Sequence, residues 1–316
     1  MMSPSYLLAA GLAALAVATP IMAQREGGGN SKRLSRKCLI EVVQLCGRDR
    51  SQIPSCVQQY SDTLSKKCQK EVAKRIAERG APPPAPLRPY QRTARPTQTL
   101  VYGSHQRQAI DVYEPEGAVD KQPLVLFIHG GGWRTGSHKR VQSKPVHFNA
   151  SDIYFASAGY RVLPDTPVED QAKDIGLALQ ALIAQADPVG FDPEKVVLMG
   201  HSAGAHLAAL VATDPQYAGE AFGSIAGVVL LDGAGFDVAK NMKDAPFERR
   251  RVYEDAFGIL PERHKALSPV THIGGKDAPN WLALYVEDRA ISKAQADLFI
   301  GGLKAAGSTA KTAAIS

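Results

Sequence analysis

Two hydrophobic rhythms follow one another along this chain. In the first part Leu39, Val42, Val43 and Cys46, then Val57, Tyr60, Leu64, Cys68 and Val72, recur three or four residues apart, which predicts two amphipathic helices. GRDRSQIPS between them has the composition of a turn. Residues 81–97, APPPAPLRPYQRTARPT, are proline-rich and read as a semi-rigid spacer. From Gln98 the period shortens. TLVYG and AIDVYEP form an opening hairpin, and PLVLFIHG, YRVLP, VVLMGHS, GVVLLDGA, WLALYVE and TAKTAAIS follow as strands, with helical stretches between most of the later ones. Several of these runs are apolar at consecutive positions, as strands covered on both faces must be. The fold class is therefore α/β, a doubly wound and mostly parallel sheet. Thr166-Pro-Val-Glu169 and Ser292-Lys-Ala-Gln295 have capping-box spacing, the former with proline at the first helical position. The sequence shows no internal repeat.

The ends and the cysteines change the picture of the N-terminal part. The first 24 residues carry no charge and hold a long apolar run ending in Ala23, the pattern of a secretion signal over 1–23, with an uncleaved anchor as the alternative. All four cysteines, Cys38, Cys46, Cys56 and Cys68, fall in one short segment without the CxxC spacing that zinc prefers. Two disulfides stapling a helical hairpin over 24–80 are expected. Three pairings exist; the nested one, Cys46–Cys56 beside the turn and Cys38–Cys68 farther out, is favoured. Such a hairpin has too small a core to stand without cross-links. Together these features place the protein outside the cytoplasm, secreted or periplasmic.

Charge is just as uneven. Residues 24–97 hold 16 Lys and Arg against 6 Asp and Glu, net +10, and the rest holds 21 against 25, net −4, giving the chain its +6. The basic part suits an anionic membrane or envelope surface, the alternative being an ordinary solvated face. Nucleic acid is not expected, because no aromatic residues are interleaved with the cations to stack on bases.

Chemistry concentrates in the second domain, 98–316. VVLMGHSAGAHLAALVA sets Gly200-His-Ser202-Ala-Gly204 between a strand and a helix. A sharp turn there projects Ser202 at the carboxyl end of the sheet, and glycine two residues to either side removes the side chains that would collide. Upstream, LVLFIHGGGW ends a strand in His129-Gly130-Gly131-Gly132-Trp133. Consecutive glycines can aim backbone N–H groups at one point, so Gly131 and Gly132, joined by Ala203, are the candidate oxyanion donors. Neither dinucleotide-binding spacing nor a P-loop lysine is present. His129 is read as an anchor of the loop, and Trp133 either lines an acyl pocket or packs beneath the loop.

With AIDVYEP, IHGGGW, GFDPEKVVLMGHSAGAHLAAL and ALSPVTHI in this order, the chain from about Val101 resembles the α/β-hydrolase superfamily, in particular its exported carboxylesterase and lipase branch related to hormone-sensitive lipase. The cysteine-rich segment resembles the repeats of some exported proteins. The hydrolase resemblance implies a small ester substrate, an acyl-enzyme on Ser202, no cofactor, and an acidic residue after a late strand, where Asp288 stands; Glu287 and Asp232 are the alternatives. It also implies a histidine base after the last strand. No histidine occurs in the final 44 residues, and His105, His138, His147, His201, His206, His264 and His272 read as surface or packing residues. TAKTAAIS reads as a last strand cut at its end, so the catalytic histidine is expected just beyond Ser316. An amidase or formamidase on the same scaffold, and a catalytically inactive binding protein, are the other readings. Residues 233–269 form the variable region over the site, with Arg249-Arg250-Arg251 as exposed surface or an anion clamp.

Overall fold

The computed structural model describes residues 34–46, 53, 57, 63–79, 94–117 and 121–315. The chain divides into two units, Met1–Leu34 and Ser35–Ser316, and of the first only Leu34 is described. The secretion signal, the GRDRSQIPS turn apart from Ile53, Cys56 and the proline-rich spacer up to residue 93 lie outside the described residues. No helix among the described residues is long and apolar enough to cross a membrane.

Helices α1 (Arg36–Cys46) and α2 (Lys66–Arg79) are joined by a Cys38–Cys68 disulfide, the outer bridge of the nested pair. Cys46 is also disulfide-bonded; the expected partner, Cys56, lies outside the described residues. The buried face of α1 is Cys38, Val42 and Leu45, one position off the stripe read from the sequence, and Leu39 is half-exposed. The second helix begins only at Lys66, after Ser65, so Val57 and Val72 do not share one continuous helix.

The two helices also start alike. Leu34-Ser-Arg-Lys-Cys38-Leu-Ile-Glu41-Val and Leu64-Ser-Lys-Lys-Cys68-Gln-Lys-Glu71-Val form an internal repeat that the sequence reading missed. Each serine hydroxyl accepts from the N–H of its own cysteine, at 3.3 Å in both copies. Glu41 accepts from Ser65 N, and Glu71 from Ser35 N, both at 2.9 Å. Each repeat therefore caps the other, leaving fewer orphan N–H groups at both helix starts.

The sheet runs β1 (Gln98–Val101), β2 (Ala109–Tyr113), β3 (Gln122–Ile128), β4 (Tyr154–Ala158), β5 (Phe191–His201), β6 (Ile225–Leu231), β7 (Asn280–Val286) and β8 (Thr309–Ile315). Their spatial order is β1-β2-β4-β3-β5-β6-β7-β8. β2 pairs antiparallel with β1 and β4, and all the other pairs are parallel. β3 buries Leu124, Leu126 and Ile128 on one face and Val125 and Phe127 on the other, which explains its unbroken apolar run.

The labelled helices of this part are α3 (Val168–Ile183), α4 (Ala203–Thr213), α5 (Phe247–Phe257) and α6 (Ala290–Ala305). Every residue of α4 is buried, as suits a helix that is apolar all round. It lies in the largest core cluster, beside the middle of the sheet.

Two local expectations fail for instructive reasons. YRVLP is not a strand; β4 is the preceding YFASA. After Ala158 the backbone donors leave the ladder, Arg161 N reaching Asp174 Oδ2 at 2.9 Å and Leu163 N reaching Trp133 O at 2.9 Å. The capping boxes are not capping boxes either. Pro167 itself is the N-cap of α3, with no side-chain cap. Ser292 and Gln295 lie inside α6 and turn inward, Ser292 Oγ donating to Gly233 O at 3.1 Å and Gln295 Oε1 accepting from Asp237 N at 2.9 Å.

Candidate active site

Register puts the two glycine motifs side by side. Ile128 of β3 pairs with Gly200 of β5, so the residues that follow, 129–132 and 201–203, leave the sheet together at its carboxyl edge, where the connection switches direction. Ser202 has φ 53° and ψ −117°, a left-handed conformation that a serine adopts only when its surroundings hold it there. Its N–H donates to Leu231 O of β6 at 2.9 Å, and its carbonyl accepts from Ala205 N at 2.9 Å.

The flanking glycines show why the turn needs them. A Cβ on Gly200 would overlap the Gly204 carbonyl and stand 2.6 Å from Ala205 Cα, while one on Gly204 would collide with the carbonyls of Ile128 and His129. α4 thus starts hard against the end of β3. Side chains at either position would push the strand and helix apart.

The triple-glycine loop lies over this turn. A Cβ on Gly130 would come within 3.1 Å of Ser202 Cβ and 2.7 Å of His201 O. Gly131 and Gly132 have φ of 136° and 59°, values glycine takes without strain. Gly131 O accepts from Thr135 N and Thr135 Oγ1, both at 3.0 Å, which turns that peptide's acceptor away. The N–H groups of Gly131, Gly132 and Ala203 donate to no group among the described residues.

His129 stacks on Tyr160 with ring centroids 4.3 Å apart, and its Nδ1 donates to Gly130 O at 2.9 Å. Tyr160 OH in turn donates to His129 O at 2.8 Å. Burial pushes the His129 imidazole down to about 3, so it stays neutral at ordinary pH and serves as a packed strut. Trp133 both lines the cavity and packs under the loop. Its carbonyl accepts from Leu163 N and Gln171 Nε2, each at 2.9 Å, and its indole N–H donates to His206 Nδ1 at 3.3 Å. His206, read from the sequence as a surface or packing histidine, is a packing one, fully buried.

Beside Ser202 opens a cavity of about 220 Å³ lined by Gly132, Trp133, Ala203, Ala234, Val252 and Tyr253. Two of the three residues offered as N–H donors, Gly132 and Ala203, line it, and α5 supplies Val252 and Tyr253.

The acidic candidates separate clearly. Asp232 ends β6 with φ 47°, is buried, pairs with Arg289, and accepts from Val286 N at 3.4 Å. Glu287 and Asp288, in the turn after β7, are both exposed. Glu287 N donates to Ile315 O at 3.1 Å, tying that turn to the end of β8.

None of the histidines hydrogen-bonds Ser202 or Asp288 among the described residues. His206 bonds Trp133 and Leu267 O. His264 and His272 bond the carbonyls of Gly258 and Ala266, and His138 stands 3.7 Å from Asp111. His105 Nδ1 accepts from Arg107 N, and His147 packs its ring against Phe148. His201 flanks the serine, and desolvation, followed by the charge of Lys144, lowers its pKa. Among the described residues there is no cluster of three or more His, Cys, Asp or Glu able to hold a metal ion.

A strained serine turn facing a glycine loop, at the carboxyl edge of a sheet with this strand order, defines an α/β-hydrolase. Residues 110–303 match the BD-FAE family, and the chain belongs to it. A probable isoprenylcysteine alpha-carbonyl methylesterase of Oryza sativa subsp. japonica is 29% identical over 231 residues, covering 67% of this chain and 55% of the relative. A kynurenine formamidase of Danio rerio is 29% identical over 140 residues, 43% of this chain and 46% of the relative. The chain thus spans about half the length of these curated relatives. Among solved structures, a thermophilic esterase of the Planctomycetes species Thermogutta terrifontis aligns with a TM-score of 0.57 at 25% identity, covering 69% of this chain and 80% of the other.

Proposed function

We propose that this chain carries the catalytic part of an esterase that cleaves small carboxylic esters through an acyl-enzyme on Ser202. The observation that carries the reading is the cavity in which Ser202 shares a wall with the N–H-bearing residues Gly132 and Ala203. A carbonyl seated there would meet the serine hydroxyl on one side and the amides on the other. Ser202 Oγ attacks the ester carbon, its proton passes to an imidazole, and the carbonyl oxygen takes negative charge held by the N–H groups of Gly131, Gly132 and Ala203. Collapse expels the alcohol, which takes the proton back. Water then repeats the sequence on the acyl-enzyme and frees the acid. Each oxyanion donor is worth about 10²–10³ in kcat.

Asp288 is the carboxylate assigned to orient the imidazole. β7 and β8 run parallel with Val286 opposite Ile315, so a segment following β8 would leave the sheet beside Asp288. Since β8 lies on the side of β7 away from β5, such a segment would have to fold back over the strand ends to set an imidazole between Asp288 and Ser202, the arrangement a serine triad requires. The methylesterase and esterase relatives favour ester substrates; the formamidase relative favours a formyl amide at the same serine. The reading is tested by hydrolysis of nitrophenyl acetate and butyrate and of an N-formyl arylamine by the full natural product of the gene, each compared with Ser202→Ala. Loss of ester turnover by several orders of magnitude in the variant is the expected result. Equal rates would overturn the assignment, and a preference for the formyl amide would move the substrate class.

The N-terminal hairpin is assigned a tethering role outside the cytoplasm. Arg36, Lys37, Lys66, Lys67, Lys70 and Lys74 are all exposed on it, which favours attraction to an anionic membrane or envelope polymer. Binding to phosphatidylglycerol vesicles that weakens with salt supports this role; salt-insensitive or absent binding removes it.

A further inference from the structure

The geometry points to His206 as a positioning residue of the oxyanion loop: a neutral imidazole that ties the Trp133 indole to the Leu267 carbonyl and so holds Gly131 and Gly132 against Ser202. Its kinetic consequence rests on the ester-hydrolase reading above; its structural content does not.

His206 is completely buried on the first turns of α4. Its Nδ1 lies 3.3 Å from Trp133 Nε1 and its Nε2 lies 2.8 Å from Leu267 O. An indole N–H can only donate and a carbonyl can only accept. The imidazole must therefore carry its single proton on Nε2 and present a bare Nδ1 to Trp133. No other form satisfies both partners, since an imidazolium would set one N–H against another.

Trp133 needs such a restraint. It holds φ 57°, a left-handed conformation that a bulky residue keeps only where its surroundings impose it. The peptide end of the residue is fixed by Leu163 N and Gln171 Nε2. The ring end is fixed by His206, with Phe257 standing edge-on to both rings at 4.8 Å from Trp133 and 5.1 Å from His206. Gly235 closes the remaining side, where a Cβ would come within 3.3 Å of His206 Cδ2. Because Gly132 lines the cavity and directly precedes Trp133, a swing of the indole displaces the Gly132 backbone. His206 grows from the helix whose N-cap is Ser202, so nucleophile and oxyanion loop share one rigid support.

Oxyanion contacts strengthen in the transition state, so loosening them lowers kcat more than it raises KM. In the full natural product, His206→Phe keeps an aromatic ring but loses both bonds; kcat for nitrophenyl acetate falls about 10- to 100-fold while KM moves less than about threefold. His206→Gln, whose amide offers one acceptor and one donor group, recovers most of that loss. The wild-type protein supplies an activity-independent readout. With ¹⁵N-labelled histidine and tryptophan, His206 shows an unprotonated Nδ1 and a protonated Nε2, and the indole signal that disappears in Trp133→Phe is protected from solvent exchange. A protonated Nδ1, a rapidly exchanging Trp133 indole, or a His206→Phe variant with wild-type kcat would each overturn the clamp. If Ser202→Ala still turns over ester, the functional reading fails, and the two spectroscopic signatures still decide the clamp.

Discussion

The guanidinium of Arg289 pairs with the carboxylate of Asp232 across the carboxyl ends of β6 and β7. Asp232 is buried and also accepts from Val286 N, so its charge is already committed. The residue just before Arg289, Asp288, is exposed in the turn after β7, and it is the residue proposed above to orient the imidazole. In the full natural product Asp288→Asn is therefore expected to lower kcat by about 10⁴ with little change in the urea midpoint. Asp232→Asn should do the opposite, costing about 1–3 kcal/mol of stability by removing one partner of a partly buried pair. Steady-state kinetics and urea unfolding on both variants decide between them, and a reversed pattern would transfer the acid role to Asp232.

The serine turn makes a second, purely structural prediction. Gly200→Ala places a methyl group where Gly204 C and Ala205 Cα lie within 2.6 Å of its position, closer than any packing rearrangement of side chains can relieve. About 3 kcal/mol or more of destabilisation is expected, the upper range for overpacking, because the obstacle is backbone. A lowered urea midpoint by circular dichroism checks it; an unchanged midpoint would mean that β5 and α4 do not meet as closely as described.

Much of this arrangement was legible in the residues, and what was not has physical causes. Glycines 200, 204 and 130–132 announced two tight approaches because backbone contact leaves glycine as the one choice. Continuous apolar runs announced buried strands. YRVLP misled because Tyr160 and Val162 are apolar for reasons of loop packing, while its N–H groups serve Asp174 and Trp133. The repeat around Cys38 and Cys68 escaped notice because its meaning lies in reciprocal contacts, Glu41 with Ser65 and Glu71 with Ser35, between residues tens of positions apart. The Arg289–Asp232 pair and the His206 bonds were invisible for the same reason. Composition and period report what a residue type can do, and tertiary contacts determine which of those options is used.

Two of the buried imidazoles, those of His129 and His206, give the stability a pH dependence with a definite sign. Burial depresses His129 from 6.5 to about 3 and His206 from 6.5 to about 4. Between those values and 6.5 the unfolded chain binds protons that the folded chain refuses, so stability is fully present above about pH 6.5 and declines as pH falls toward 4. For His206 alone the loss is about 3 kcal/mol across that window. Unfolding free energies from urea titrations between pH 7.5 and 4.5 should fall steadily, and His206→Gln should flatten part of the slope. A flat profile in the wild-type protein would show that these rings are more solvated than the structure indicates.

The size of the cavity sets the last expectation, which concerns the acyl group. About 220 Å³ equals roughly seven waters at their liquid volume, room for a short acyl chain. Its outer wall is Val252 and Tyr253 of α5, and Val252 Cγ1 stands 3.3 Å from where a Cβ on Gly132 would be. Under the proposed acyl-enzyme reading, Val252 would meet the acyl chain close to the reacting carbonyl. Each methylene that the pocket accepts contributes about 0.8 kcal/mol, close to fourfold in kcat/KM. Val252→Phe should fill that space and lower the butyrate-to-acetate ratio of kcat/KM about tenfold, whereas Val252→Ala should shift the optimum one or two carbons longer. Because Val252 is partly exposed, neither change should disturb folding, so the ratio reports the pocket alone. If both variants keep the wild-type chain-length profile, the acyl group is accommodated elsewhere than against α5.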